Sequence, residues 1–501
     1  MSTQAGNENS VPAPLGYVRP GLQAFLVVAV ALIILIAALR VRTCWNNDRY
    51  VEHTAGEWIA LASDLKDGAF YRPLFGPSGY GGTRYFPLYF VLEAGLLELG
   101  VPVRLSGYLL SAAATVLLVA GAFSLMRRLG VERWLAACSA GAALAAAAVQ
   151  WSLLSPHADG LACALNVWGL TVIARPRPNH RNVLLASILF SLAWSAKLTT
   201  VFGAGAAFLW LVLAGFSGMA WVLAVETACG WLAVLGTMAI ASHGRILGIL
   251  KACSSGGTSL ALILSGPWHL LTLTVQEDPG LLLFLFLALL ALFFLKSWRS
   301  LPVLFFVATL AATAVILGSP GTTSNHLLDV QVAAVILFTV WVAEEPAPLP
   351  KELGVCALAL ATLLAAVPLR FRLKVDDRML PAHRFERVIA LIGDTHKPIL
   401  AENPALPVLA GQRPYVIDPW MLRLLQTRQP SFGEPLLEGL HSQAFSAVVL
   451  FMKDPRSEEG RVWYERAHFG PGFLQALNQS YRLESVVDGQ FVYLPGTAPP
   501  Q

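Results

Sequence analysis

The stretch NNDRYVEHTAGEW, residues 46–58, places Asp48, Glu52, His53 and Glu57 close together. A carboxylate in such a group can take the proton from an attacking hydroxyl as a general base. Further along stand Arg84 and Tyr85, His157 and Asp159 in SPHADG, Lys197 in WSAKLTT, and Asn325, His326 and Asp329 in SNHLLD. Arginine, lysine and histidine neutralise phosphate charge, arginine in bidentate fashion. Together these residue types suit displacement at a carbon bearing a phosphate leaving group. No Walker loop, Rossmann glycine pattern or HExxH motif occurs, so nucleotide and zinc-peptidase chemistry have no support.

The elements that must position these residues are set by composition. Hydrophobic residues make up 56% of the 501 and charged residues only 13%. Soluble domains carry about 25% charged residues, so the chain reads as a polytopic membrane protein. The net charge of +4 is small, and no basic stripe with interleaved aromatics points to nucleic acid. The six cysteines fall mostly in apolar runs without a CxxC pair, as small core residues do.

Residues 22–39 form an apolar run with no cleavage site after it, expected as an uncleaved first span. Ten more runs, from 107–125 to 353–367, bring the expectation to about eleven spans, several completed by flanking residues. Basic connections at Arg127, Arg128 and Arg133, at Arg175, Arg177 and Arg181, and at Lys296 and Arg299 fall in one register. The positive-inside bias then puts the N-terminus in the cytoplasm and everything after residue 367 outside. The division expected is a cytoplasmic tail at 1–21, a membrane domain at 22–368 and a periplasmic soluble domain at 369–501. Within the first outer loop, 42–104, an amphipathic segment at 57–65 and a short apolar segment at 86–99 read as interfacial helices. A second outer loop, about 243–280, is Gly/Ser-rich near 254–259, and 346–350 is a cytoplasmic linker. Strands expected at 447–451 and 491–494, with helices between, make the tail a small α/β unit.

Under this topology the unusual polar residues share the outer side. A charge at the bilayer centre costs about 2.5–3.5 kcal/mol on insertion scales, so such residues belong at helix ends or in a cavity. Each also has a plainer reading: Asp48, Glu52 and Glu57 as wet helix faces, Lys197 as a snorkelling cation, Asp159 as an acid at a helix N-terminus, and Asn325 with His326 as caps. Those separate explanations do not account for a common side. The convergence points to one outward-facing site, where a lipid phosphate can keep its tail between helices and its headgroup at the surface.

The order of segments resembles the GT-C integral membrane glycosyltransferases, which include protein O-mannosyltransferases and the aminoarabinose transferase of lipid A. The resemblance rests on a first span, LASDLKDGAFYRP, RYFPLYFVLEAGLLELG, HADGLACALNVWGL, SLAWSAKLTTVF, SNHLLDVQVAAVIL and, in the tail, PILAENPALPVLAGQRPYVIDPW, and covers about 22–450. It implies a GT-C-like fold and inverting transfer of a sugar from a polyprenyl-phosphate donor to a glycan, lipid or protein acceptor outside the cytoplasmic membrane. It implies an essential first-loop acid, for which Asp48 stands in the best-matching place and Glu52 and Glu57 are rivals. His157 stands where the family's R-x-D motif has arginine, followed by Asp159. Lys197 matches the family lysine, and Asn325 with His326 an N-aromatic-L motif.

Arg84, Tyr85, His157, Asp159, Lys197, Asn325 and His326 would then form the site for the donor and its phosphate. Some GT-C enzymes use a divalent metal; Asp48, Glu52, His157 and Asp159 could ligate one, but no spacing demands it and no cofactor is required. A secondary transporter would place its site near the midplane between paired broken helices, a pattern absent here. A membrane scaffold whose tail binds a partner is the other alternative.

Overall fold

A computed structural model of the chain describes residues 18–253, 259–294, 297–319, 321–379, 382–393 and 396–496. Most of the Gly/Ser-rich segment expected at 254–259, and Lys296 of the third basic connection, lie outside the described residues. The first helix, α1 (Pro20–Asn47), starts with proline at its first position, where the missing N–H costs nothing. It ends where Asp48 turns left-handed at φ 53°. The first loop then folds α2 (His53–Lys66) and α3 (Leu88–Glu98) and leads into α4 (Val103–Arg128).

Next, α5 (Arg133–Ala142) and α6 (Ala147–Leu154) are bent by 80° about an alanine-rich 3-10 turn. The break frees backbone N–H groups, and the buried Asp278 carboxylate accepts from Ala148 N at 3.0 Å. That satisfies a backbone group that lipid could not. The chain continues through α7 (Asp159–Ile173), α8 (His180–Ala196), α9 (Phe202–Leu213), α10 (Ser217–Ala241), α11 (Arg245–Cys253), α12 (Leu260–Glu277), α13 (Pro279–Phe294), α14 (Leu301–Ile316), α15 (Leu328–Glu344) and α16 (Pro348–Met379). A capping box between Asn179 and Asn182 starts α8. The span ending in α15 is buried along 83% of its apolar window, as expected of a helix hydrophobic on all sides, whereas α10 is only 17% buried.

Five helices, α1, α4, α10, α15 with its preceding turn, and α16, are long and apolar enough to cross a membrane; the bent α5–α6 pair makes a sixth. Four more apolar helices, α7, α9, α13 and α14, have 10–17 residues. The protein is therefore a polytopic α-helical membrane protein, and five to six of its helices among the described residues have the length and apolar character of a full span. The expected runs do fold as helices, but helix length falls short where runs break early, as at the α5–α6 bend.

After α17 (Arg384–Ile392) the chain forms a small α/β unit. Its helices are α18 (Ala405–Leu409), α19 (Pro419–Arg428), α20 (Glu434–His441), α21 (Glu458–Val462) and α22 (Phe473–Ser480). Its strands, β1 (Ile399–Ala401), β2 (Ala447–Leu450), β3 (Tyr481–Val487) and β4 (Gln490–Pro495), lie in the order β1-β2-β4-β3. β1 and β2 pair in parallel and the other neighbours antiparallel. The AVVL run of β2 is buried throughout. Asp488 and Gly489, both at positive φ, close the β3–β4 hairpin in the conformation that matches strand twist.

This unit is knitted into the first loop. Tyr80 N donates to Tyr415 O at 2.7 Å and Ile417 N to Tyr80 O at 3.1 Å. Asn403 Nδ2 donates to Val51 O at 2.8 Å. Gly56 lets α18 approach α2, since a Cβ there would lie 2.2 Å from Asn403 Oδ1 and 2.8 Å from Ala405 N. Gly56→Ala is expected to cost about 1–3 kcal/mol through overpacking. A lower thermal midpoint in the variant than in the wild type checks this; equal midpoints refute it.

Candidate active site

Three distant segments meet around Asp159. It opens α7, Lys197 follows the last turn of α8, and Asn325 and His326 occupy the 3-10 turn (Ser324–Leu327) that leads into α15. Lys197 Nζ forms an ion pair with Asp159 Oδ1 and donates to His326 Nδ1 at 3.2 Å. Asn325 Nδ2 donates to the same Asp159 oxygen at 2.9 Å. His157 Nε2 lies 3.0 Å from Thr54 Oγ1, which ties the cluster to α2. Asp329, in the first turn of α15, is buried as well.

Glu57 projects from α2 towards the same region. Its carboxyl is buried beside the Tyr85 hydroxyl, Arg84 and Asp418, and Oε2 has no hydrogen-bond partner. Burial and then the charge of Asp418 push it well above the carboxylate range. Tyr85 stacks on Trp58 with ring centroids 4.4 Å apart. Arg84 is half-buried, makes no hydrogen bond or ion pair among the described residues, and acts electrostatically on Glu57, Asp418 and His326.

Glu52, the N-cap of α2, faces another way. It lines a cavity of about 650 Å³ together with Arg49, Tyr50, Trp151, Ser324 and Arg384. Its carboxylate makes no hydrogen bond or ion pair among the described residues. Burial pushes it up to about 7, Arg384 pulls the other way, and Glu277 adds to the rise. Ser324 in the cavity wall adjoins Asn325 and His326 in the cluster, so cavity and cluster meet at one turn.

Asp48 lies outside that cavity lining. Arg104 Nε donates to its Oδ1 at 2.9 Å, and Arg104 Nη2 also donates to Trp45 O and Asn46 O at the end of α1. Asp48 thus belongs to the joint that caps α1 onto α4. Burial raises its carboxyl, opposed by Arg104. Asp48→Asn is expected to lower thermal stability by about 1–3 kcal/mol, since the buried pair loses one charge, while leaving most turnover intact. Loss of all turnover from a stably folded D48N protein would return Asp48 to the catalytic role.

Asp48, Glu52, His157 and Asp159 do not gather into a metal site, because Asp48 is held by Arg104 and Asp159 by Lys197. Among the described residues no three His, Cys, Asp or Glu side chains are grouped to hold an ion.

Residues not singled out in the sequence come from the tail. Arg384, Phe451, Met452, Asp488 and Gly489 form part of the cavity wall. Glu402, fully buried, accepts from Trp463 Nε1 at 2.7 Å and from the backbone of Phe451 and Met452 at 2.7 and 3.0 Å, and faces His468 Nδ1 at 3.0 Å. It fixes that wall. His53 packs against His468 with centroids 5.2 Å apart, and burial lowers it to about 3, so it is neutral at pH 7. The AENP and VIDPW segments contained Glu402 and Asp418, but nothing in them marked these acids as part of the site.

No protein-family model and no curated protein sequence matches the chain. Solved structures do. The oligosaccharyltransferase of Archaeoglobus fulgidus in its apo form is similar with a TM-score of 0.56 at 13% identity, over 95% of this chain and 74% of that one. ArnT from Cupriavidus metallidurans bound to undecaprenyl phosphate has a TM-score of 0.56 at 12% identity, over 96% of this chain and 99% of that one. AglB of Archaeoglobus fulgidus in complex with an inhibitory peptide and a dolichol-phosphate gives 0.54 at 12%, over 95% and 74%. The chain shares its fold with these structures.

Proposed function

We propose that this protein transfers a sugar from a polyprenyl-phosphate donor to an acceptor hydroxyl at the outer face of the cytoplasmic membrane. The observation that carries this is the Glu52 carboxylate, free of hydrogen bonds and ion pairs among the described residues, in a cavity that meets a cluster of residues whose types suit a phosphate. The presence of undecaprenyl phosphate and dolichol-phosphate in structures of the same fold supports the donor class.

In this reading the acceptor oxygen attacks the anomeric carbon as Glu52 takes its proton. The bond from that carbon to the phosphate oxygen breaks, and the electron pair leaves with the lipid phosphate. A single displacement inverts the anomeric centre. Arg84 and the remaining N–H groups of Lys197 receive the departing phosphate, with His157, Asn325 and His326 lining its seat. Asp159 orients Lys197, and Glu57, held protonated, keeps Tyr85 and Arg84 in place. Glu52 is favoured over Asp48 because Asp48 is occupied by Arg104 and outside the cavity lining. The N-terminus is cytoplasmic, the eleven expected runs cross or enter the bilayer, and the tail from residue 369 lies outside.

The test is turnover. Purified protein in detergent is incubated with a panel of radiolabelled polyprenyl-phosphate sugars and a membrane extract as acceptor, and release of free polyprenyl phosphate is followed. Release that requires Glu52 and Arg84 supports the reading. No release across the panel, or full activity in Glu52→Gln, Asp48→Asn and Glu57→Gln alike, defeats it.

A further inference from the structure

The cavity that holds Glu52 carries more positive charge than its carboxylates balance. Four guanidinium groups, Arg40, Arg49, Arg372 and Arg384, line it. Arg40 and Arg49 share one carboxylate, Asp376, at 2.7 and 3.0 Å. Of the lining acids, Asp488 is taken by Arg387, which lies outside the cavity lining, and Glu277 accepts from Ser324 Oγ at 2.6 Å. Arg372 donates to the Glu277 carbonyl rather than to a carboxylate.

Arg384 is the sharpest case. Its side chain is fully buried in the wall, held flat between the rings of Phe385 and Phe451 at 4.8 and 4.7 Å from their centroids. Nη2 alone is engaged, donating to Asp48 O and Val51 O, each at 2.8 Å. Nε and Nη1 have no partner. Asp48 and Glu52 act on this guanidinium only through space, with no direct ion pair among the described residues, and buried donors left without a partner are costly. Nε and Nη1 are two of the donors with which a guanidinium grips an oxyanion.

We infer that Arg384, with Arg49 beside it, forms an oxyanion subsite in the Glu52 cavity that binds a phosphate or carboxylate group of the acceptor. The acceptor part of this statement rests on the transferase reading above; the oxyanion subsite itself does not. Arg84 and Lys197, on the far side of the Ser324–Leu327 turn, remain for the donor phosphate. The acceptor is thereby anchored by its charge, with its hydroxyl presented to Glu52. The tail domain selects acceptors through Arg384 and the Phe451 wall.

Calorimetric titration of the full-length protein in detergent, first with inorganic phosphate and then with acetate, reads the subsite without any donor. Wild type and Glu52→Gln are expected to bind at least one of the two, and the tighter arm tells phosphate from carboxylate. Arg384→Gln should weaken binding tenfold or more and Arg49→Gln several-fold. Arg49 is partly exposed and not needed to hold Asp48 and Val51, so it decides the matter if the Arg384 variant does not fold. No binding of either anion by wild type, or unchanged binding in the folded variants, overturns the subsite.

In turnover, Arg384→Gln is expected to raise the acceptor KM and leave the donor KM unchanged. A raised donor KM instead overturns the assignment to the acceptor. Anion binding without turnover on any donor upholds the subsite and removes the transferase reading. Turnover indifferent to acceptor charge and to Arg384 does the reverse.

Discussion

Glu52→Gln is expected to fold and to lose about a thousandfold in turnover, the range that a positioned general base contributes. Glutamine keeps the shape of the side chain but cannot accept the proton. The wild-type rate should climb with pH through about 7, where the Glu52 carboxyl ionises, and level off above it. Residual activity of the variant should lack that step. Stability should move the other way. A carboxyl whose folded-state value lies above its unfolded value of 4.5 binds a proton more tightly in the folded protein. Folding stability is therefore fully present below 4.5 and declines as pH rises towards about 7. At pH 8 the variant escapes this loss and should be more stable than wild type, by on the order of 1–2 kcal/mol once the open cavity's screening is allowed for. Parallel pH–rate curves and thermal melts check both signs. A pH profile unchanged in the variant refutes the base assignment.

The second large effect is expected at the Asp159–Lys197 pair. Asp159→Asn leaves a mostly buried ammonium without its counter-charge, weakens the hold on Asn325, and frees the Lys197 ammonium that bonds His326. Breaking a buried pair from one side costs about 3–5 kcal/mol. Lys197→Met should cost a similar amount, by stranding the carboxylate. The double variant Asp159→Asn/Lys197→Met removes both charges, and most of the lost stability should return. Turnover should not return, because the donor phosphate has lost a cation that Arg84 alone does not replace. Thermal melts beside donor-release assays on the three variants separate the roles. Recovery of turnover together with stability in the double variant would make the pair structural only.

The sequence showed the cluster around Asp159 because charge inside apolar runs is anomalous. His157, Asp159, Lys197, Asn325 and His326 each stood out against helix ends rich in leucine and alanine, and the loop arginines led to the expectation of a common outer side. Arg384 and Glu402 did not stand out, since the tail is charged throughout and one more arginine or glutamate signals nothing there. Only folding shows that Arg384 is sealed between two aromatic rings, or that Glu402 braces the backbone of Phe451 and Met452.

Asp48 and Glu52 show the same limit at short range. They lie four residues apart in one acidic loop, and by type either could serve as base. The left-handed turn at Asp48 and the reach of Arg104 from the start of α4 send one carboxylate into a joint and leave the other facing the cavity. Residue type and hydrophobic periodicity, which are local, determined from sequence alone that this is a polytopic membrane protein with a small α/β tail. Which acid is free, which cations are already paired, and how far the tail enters the site depended on contacts between segments tens to hundreds of residues apart. Charge pairing is settled by distance in space, and only the tertiary structure supplies that.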